Sequence, residues 1–362
     1  MDFGILLVPF FTGLAAFSLA VFNNLEAVNI GSLNVPGAVS GSSGFTSDVL
    51  IKRMVDRMQQ IEAEAQSRAD SKQVIAQDDG GAAAVLGDFF QLTPLLRVVQ
   101  SSLGLIPYTL SGEILVRDKE LEMVLRGSDS KNHLTMIRAR APSGDVRGLI
   151  DKAAYESMRM IDPVLLASYQ FKRDYLTRDF ILTQDVIRQA LTSEDVKSHK
   201  WVLNLWGVVQ YQESDFNGAI DKFRRALEVD PYYTSPMLNW GVVLARQGNH
   251  VGAIEKFLQL TKVWRRGDHV DTLAAAYCEW GFSLALLGKT EEAFAKFRKA
   301  VEVDPTFSDT YSSWAEVLSA VGRTDEAQRM TEEALKLSPV DKVYTDNLVG
   351  RIQRLPAVAS SH

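Results

Sequence analysis

The triplet Gly288-Lys289-Thr290 is the part of the sequence that comes nearest to a phosphate-binding loop. Such a loop needs a further glycine five residues before the first, because the backbone must wrap closely around the phosphates. Serine stands at that position, as Ser283. The triplet also falls where the surrounding pattern requires a turn between two helices. We therefore expect no nucleotide site here.

The sequence does not indicate a metal site or a catalytic nucleophile either. No two of the five histidines have the four-residue spacing of a helical metal site. They are His133, His199, His250, His269 and His362. The single cysteine, Cys278, excludes an internal disulfide and a cysteine zinc site. Carboxylate pairs such as Glu291-Glu292 and Glu332-Glu333 fall on polar helix faces, where solvation explains them. We expect no catalytic residue, metal or cofactor, and predict that the protein is not an enzyme.

The composition is that of a globular protein with two or three domains. The chain has 362 residues, of which 23% are charged. Its formal net charge is −6, so no overall positive field draws it to nucleic acid.

The N-terminal segment is apolar. Residues 3–22 carry no charge, and a helix of that length crosses a hydrocarbon core of about 30 Å. A cleaved secretory signal is the alternative, because small residues at 18–20 offer a cleavage site; the positive residues that precede such signals are missing. We predict a single-pass anchor at 1–22 in contact with the lipid bilayer, with the bulk of the chain outside the cytoplasm. The Gly-, Ser- and Asn-rich residues 23–45 predict a flexible linker.

Residues 46–142 combine helical and strand patterns. Apolar residues at three- and four-residue steps predict a helix over 47–70, with Val49, Leu50, Met54, Met58 and Ile61 on its buried face. Strand patterns occupy 72–78, 109–118, 120–127 and 133–140, and helical spacing returns over 94–104. These elements predict a small α+β domain with an antiparallel sheet. An alternative function places a small-ligand or catalytic site in the segment 72–142 of this domain. Its candidate residues are Glu113, Arg117, Asp118, Glu120 and Arg126.

Beyond residue 142 the chain is helical, and one pattern recurs in its C-terminal half. Small residues at Gly207, Gly241, Gly281 and Ala315 follow one another at steps of 34, 40 and 34 residues. Tryptophan precedes each of them. Alanine follows twelve residues later, and the position four further on holds Phe223, Phe257, Phe297 and Thr331. Proline closes three units, at Pro231, Pro305 and Pro339.

Each recurring residue has a physical role in a helical hairpin. Glycine or alanine lets the first helix approach the second, and the large aromatic side chains fill the space between neighbouring helices. Gly248, Gly288 and Gly322 fall where the first helix must turn, a place that favours positive φ. Proline ends a hairpin, because it lacks an amide hydrogen and disfavours helix in the residue before it. One hairpin cannot bury both of its faces, so stacking of hairpins must supply the core.

This pattern resembles the tetratricopeptide repeat (TPR) family over residues 200–339. The resemblance implies a mainly α protein with a C-terminal right-handed α-solenoid of TPR helical hairpins. The expected order is anchor 1–22, linker 23–45, α+β domain 46–142, helical region 143–199, four repeat units over 200–342, and a capping helix with tail over 343–362. Whether 143–199 contains a degraded repeat unit stays open.

The resemblance also implies a partner-binding groove lined by the first helices. The expected groove residues are Trp201, Asn204, Val208, Tyr211, Leu238, Val242, Arg246, Cys278, Phe282 and Leu286. Some family members grip a C-terminal carboxylate, and of the five corresponding positions here only Asn239 matches, so we do not expect that mode. The insertion 263–272 offers a second candidate contact through Trp264, Arg265 and Arg266. The sequence predicts a membrane-tethered TPR scaffold that binds a protein or peptide partner, in assembly of an envelope or membrane complex.

Overall fold

The computed structural model describes residues 28–65, 108–129, 133–192, 196–266 and 268–337. Four predicted elements lie outside these ranges: the anchor at 3–22, the strand at 72–78, the helix at 94–104 and the capping helix within 343–362. Among the described residues, no helix is both long enough and apolar enough to cross a membrane. The chain divides into two compact units between Ala190 and Leu191.

The first unit contains a four-stranded sheet in the order β1-β2-β3-β4. The strands are β1 (Val28–Asn34), β2 (Tyr108–Arg117), β3 (Glu120–Asp129) and β4 (Leu134–Pro142). The last three pair antiparallel, which confirms the three predicted strands to within two residues. One face of the sheet carries Leu110, Ile114, Met123 and Leu125, all at most 2% exposed, and helices cover it.

The first unit also contains five helices among the described residues. They are α1 (Gly37–Ser43), α2 (Ser47–Ala65), α3 (Val146–Ile161), α4 (Pro163–Thr177) and α5 (Ile181–Ala190). Helix α2 buries Leu50, Met54, Met58 and Ile61 as predicted, whereas Val49 is 38% exposed. Helix α3 packs against β4 and β3. The structure therefore groups α3–α5 with the sheet, whereas the sequence analysis placed residues 143–199 in a separate helical region.

The predicted linker at 23–45 is wrong over its described part. Residues 28–34 form β1, which pairs parallel with β2, and residues 37–43 form α1. The buried side chains of Ile30, Leu33 and Val39 account for this order, because their burial offsets the entropy of fixing a Gly- and Ser-rich backbone.

The second unit is an array of four helical hairpins. Its helices are α6 (His199–Gln212), α7 (Phe216–Val229), α8 (Thr234–Arg246), α9 (His250–Val263), α10 (Val270–Leu286), α11 (Thr290–Val303), α12 (Ser308–Ala320) and α13 (Thr324–Leu337). Each odd-numbered helix packs on the helix before it, so the hairpins are α6–α7, α8–α9, α10–α11 and α12–α13. The period and the number of hairpins are those predicted from the sequence, and the unit is a TPR-like array.

The small residue of each first helix meets an aromatic ring of the second, as predicted. A methyl group built on Gly207 would lie 2.7 Å from Phe223 Cδ1, far inside van der Waals contact. Gly281 is less tight, with 2.9 Å to Phe297 Cε1. In the fourth unit the ring is replaced by the exposed Thr331, and alanine takes the place of glycine. The two departures from the pattern therefore compensate each other.

The turn inside each hairpin uses a left-handed residue. Gly248, Gly288 and Gly322 have φ of 79°, 77° and 78°, and Ser214 holds the same position in the first hairpin at φ 65°. A side chain disfavours this conformation, and glycine does not. We expect Ser214→Gly to raise the free energy of unfolding by about 0.5–1 kcal/mol. Urea unfolding measures the change, and Ser312→Gly, inside helix α12, should instead lower stability.

The second helices also share an N-cap position. Asp215 and Asn249 accept a hydrogen bond from the backbone N–H three residues on, at 3.0 and 2.9 Å. Lys289 occupies the equivalent place in α11 with a similar backbone (φ −90°, ψ 60°) and makes no side-chain cap bond.

Restoring that cap predicts a gain in stability. We expect Lys289→Asn to raise the free energy of unfolding by about 1 kcal/mol, because its amide oxygen would accept from an otherwise uncapped N–H. Lys289→Ala removes the same exposed lysine without adding a cap. If both variants shift the urea midpoint equally, capping is not the cause.

Candidate partner-binding face

The first helices of the first two hairpins are held side by side by polar contacts. Asn239 Nδ2 donates to Asn204 Oδ1 at 2.9 Å, and Arg246 Nε donates to the Tyr211 hydroxyl at 3.0 Å. Each pair joins residues 35 positions apart, so α6 and α8 present equivalent faces next to each other. Asn239, the single match to a carboxylate-gripping position, is thus engaged with Asn204.

The predicted groove residues of these two helices lie on this surface. Trp201, Asn204, Tyr211, Leu238, Val242 and Arg246 all keep part of their side chains accessible, and none belongs to the fully buried core. We call these six residues the α6–α8 face. Tyr211 and Val208 pack on one apolar cluster, and Leu238 and Val242 on the next, so each apolar side chain rests on the core and shows its other side. Such a face offers apolar contact area with amide, phenol and guanidinium groups already positioned.

An ion pair supports Trp201 at the start of α6. Lys200 Nζ lies 4.9 Å from the Trp201 ring centroid and donates to Asp230 Oδ2 at 2.7 Å. Burial would raise the pKa of Asp230, but hydrogen bonds from Lys200 and from the Tyr232 amide outweigh it, and the pKa falls below its usual value. The carboxylate therefore stays ionised and fixes the lysine beneath the indole.

The predicted groove does not extend openly into the third hairpin. Cys278 is 2% and Phe282 8% exposed, and both belong to the apolar cluster formed with Phe294, Val317 and Leu318. Helices α11 and α12 pack on this side of α10, so both side chains are core residues. Leu286 is half-buried against the same cluster.

The insertion separates its three predicted contact residues. Trp264 is half-buried on the apolar cluster of the second hairpin, and its Nε1 donates to the His269 carbonyl at 3.4 Å. Arg265 stacks on Tyr232, 4.7 Å from the ring centroid, while its backbone N–H donates to Asp268. Arg266 is exposed. The two arginines remain available to a partner, and the tryptophan is mainly structural.

A recurrent lysine–tryptophan contact was missed in the sequence. Lys222, Lys256 and Lys296 place Nζ 4.7, 3.7 and 3.6 Å from the ring centroids of Trp206, Trp240 and Trp280. Burial lowers the pKa of Lys256 and Lys296. The sequence signal for this contact is the dipeptide Lys-Phe, which recurs in three units. In the fourth unit Met330 stands in place of the lysine.

His250 makes the array sensitive to acid. Its Nδ1 is buried and has no hydrogen-bond partner among the described residues, and burial lowers its pKa below the usual 6.5. The unfolded chain then binds a proton more readily than the folded one, so the free energy of unfolding should fall as pH drops below about 6.5. Urea unfolding at about pH 7.5 and 5.5 measures this, and His250→Gln should remove part of the decrease. An equal decrease in both proteins would contradict it.

The alternative site in the first unit does not assemble. Arg117, Asp118, Glu120 and Arg126 are exposed, and Glu113 is half-buried on β2. Arg117 Nε lies 3.2 Å from Oε2 of the buried Glu122, so this arginine is held in an ion pair. Within the described ranges, no group of three or more His, Cys, Asp or Glu residues could hold a metal ion.

Comparison with known proteins gives similarity in structure only. No family model matches the sequence, and no curated protein matches it. The chain is similar to MamA, with 18% identity, TM-score 0.36, and coverage of 46% of this chain and 93% of MamA. A thermophilic TPR protein of Thermus thermophilus shares 20% identity over 53% of this chain and 98% of its own, with TM-score 0.43. YrrB, described as a TPR protein with an unusual peptide-binding site, shares 18% identity over 51% of this chain and 89% of its own, with TM-score 0.35. Matches with such low sequence identity and TM-scores carry no further argument. The description of the second unit as a repeat array therefore rests on its four hairpins.

Proposed function

We propose that the second unit is a non-enzymatic scaffold that binds an extended peptide or a helix of a partner protein on the α6–α8 face. The observation that supports this most is the pair of interhelix hydrogen bonds, Asn239–Asn204 and Arg246–Tyr211, beside half-buried apolar side chains. Side chains fixed in this way lose little freedom on binding, which favours affinity. The matching partner carries apolar anchors and an acidic residue for Arg246.

Site-specific crosslinking tests this proposal. A photoreactive phenylalanine at Val242 should give a discrete adduct in intact cells, and the adduct should weaken when Arg246 is changed to Ala. The matched control places the same group at Arg224, which is exposed on the second helix α7. Equal adducts at both positions, or none at Val242 in a chain that melts normally, would argue against the α6–α8 face.

We propose further that the uncharged residues 3–22 tether this scaffold to a membrane, where it assembles a membrane or envelope complex. The length of the uncharged run supports the tether. The full chain should stay in the membrane pellet after alkaline carbonate extraction, and Leu14→Lys with Phe17→Lys should release it. N-terminal sequencing of the mature protein separates an anchor from a cleaved signal.

A further inference from the structure

The first unit contains a cleft whose lining includes none of the residues proposed above as functional. It has a volume of about 1170 Å³ and is bordered by α2, α3, α4, α5 and strand β4. The side chains that matter for its chemistry are Arg57, Arg138, Lys152, Tyr155, Tyr169 and Arg173. A cavity of this size can hold a small organic ligand.

The inner wall of the cleft is a completed polar network. The Tyr155 hydroxyl donates to Gln170 Oε1 at 3.1 Å, and Gln170 Nε2 donates to Asp174 Oδ1 at 2.7 Å. Asp174 Oδ2 accepts from the Thr183 N–H and hydroxyl at 3.0 and 2.7 Å. Burial raises the pKa of Tyr155 to about 12, so the phenol stays protonated. The one buried carboxylate in the wall thus accepts its hydrogen bonds from neutral donors and forms no ion pair with a cation among the described residues.

Two guanidinium groups converge above this wall on a single neutral oxygen. Arg57 Nη2 and Arg173 Nη1 donate to the Tyr169 hydroxyl at 3.0 and 3.1 Å. Tyr169 is 3% exposed, which fixes the meeting point of the two cations. Bringing two positive charges to one phenol costs electrostatic free energy that an anion between them would offset.

The charges around the cleft do not balance. Arg57 is paired with Asp151 at 3.2 Å, and Arg159 is paired with Asp185. Arg138, Lys152 and Arg173 form no ion pair with a carboxylate among the described residues, and Lys152 Nζ donates to the Arg140 carbonyl. Six cations and four carboxylates border this cleft, so two positive charges are in excess there in a chain whose net charge is −6.

We propose that this cleft binds a small anion that carries a phosphate monoester. A monocarboxylate would leave one of the two excess positive charges without a counter-charge, whereas a phosphate dianion neutralises both. Arg173, Lys152 and Arg138 border the cleft and can donate charge-assisted hydrogen bonds to the terminal oxygens of the phosphate. The ester group would lie against the ring of Tyr155. The phosphate can come from a soluble metabolite or from a lipid headgroup.

Calorimetric titration of the full chain in detergent micelles tests the site. Glycerol 3-phosphate should bind saturably, and acetate should not. Arg173→Gln and Arg138→Gln should each weaken binding about tenfold or more, because each removes a charge-assisted hydrogen bond. Arg147→Gln is the matched control, since Arg147 is exposed on α3 and does not border the cleft. Phosphatidic acid added to the micelles separates the lipid source: tighter binding of the lipid than of glycerol 3-phosphate, again weakened by Arg173→Gln, supports a headgroup site.

Two results would overturn the proposal. One is the absence of binding of glycerol 3-phosphate and of phosphatidic acid by the wild-type chain. The other is binding that Arg173→Gln and Arg138→Gln, with unchanged melting temperatures, leave as strong as in the wild type. Neither result bears on crosslinking at Val242, so this inference and the proposed function can fail separately.

Discussion

Gly241→Ala is expected to lower the free energy of unfolding by about 1–3 kcal/mol. In an ordinary helix the same change stabilises by up to about 1 kcal/mol. Here the new methyl group would lie 2.9 Å from Phe257 Cδ1 and closer still to Cε1. Phe257 is fully buried, so its ring can move only by displacing the core. Urea unfolding followed by tryptophan fluorescence measures this, because all six tryptophans lie between residues 201 and 314 and report the second unit.

A double-mutant cycle identifies the ring as the cause. Phe257→Leu removes the ring carbons that the methyl group would strike, so Gly241→Ala should cost less in that background than in the wild type. Ala315→Gly, the reverse substitution at the equivalent position of the fourth unit, is the control. Thr331 stands where the ring would be, no clash is relieved, and a loss of about 1 kcal/mol is expected from helix propensity alone. If Gly241→Ala keeps its full cost in the Phe257→Leu background, the clash is not the cause.

The repeat was predictable because its determinants are local and recur. Three features recur at a fixed spacing: the Gly–Phe contact, the left-handed turn glycines and the closing prolines. The pattern can therefore be recognised even where one copy departs from it. The strands β2, β3 and β4 were predictable for a similar reason, since neighbouring strands pair across short turns. In both cases the residues that specify the element lie within it.

The remainder depends on contacts between distant segments. The Gly- and Ser-rich composition of the segment that contains β1 predicts a linker, although two of the strand's side chains are buried. The strand forms by parallel pairing with β2, which joins residues about 80 positions apart and leaves no local signal. The burial of Cys278 and Phe282 depends on the packing of α11 and α12, and no feature of α10 itself reveals it. The cleft combines Arg57, Arg138 and Arg173 from three elements far apart in sequence.

Asp174→Ala is expected to lower the free energy of unfolding by about 3 kcal/mol. The side chain is 7% exposed and accepts three hydrogen bonds, from Gln170 and from the N–H and hydroxyl of Thr183. Alanine would leave these donors buried without an acceptor, and it would uncap the first turn of α5. Hydrogen exchange of peptides covering 163–190 measures the loss in the first unit, which contains no tryptophan.

The variant Asp174→Asn tests how much of this loss of stability comes from the missing hydrogen-bond acceptor. Asp174→Asn should cost less than alanine, because its oxygen can still accept from Thr183 while the Gln170 amide reverses and the Tyr155 hydroxyl changes from donor to acceptor. Asp56→Ala is the matched control: Asp56 is exposed on α2, and removing it should change stability by less than about 0.5 kcal/mol. If alanine and asparagine accelerate exchange equally, the charge rather than the acceptor geometry holds α4 and α5 together. If neither differs from Asp56→Ala, the network contributes nothing to stability.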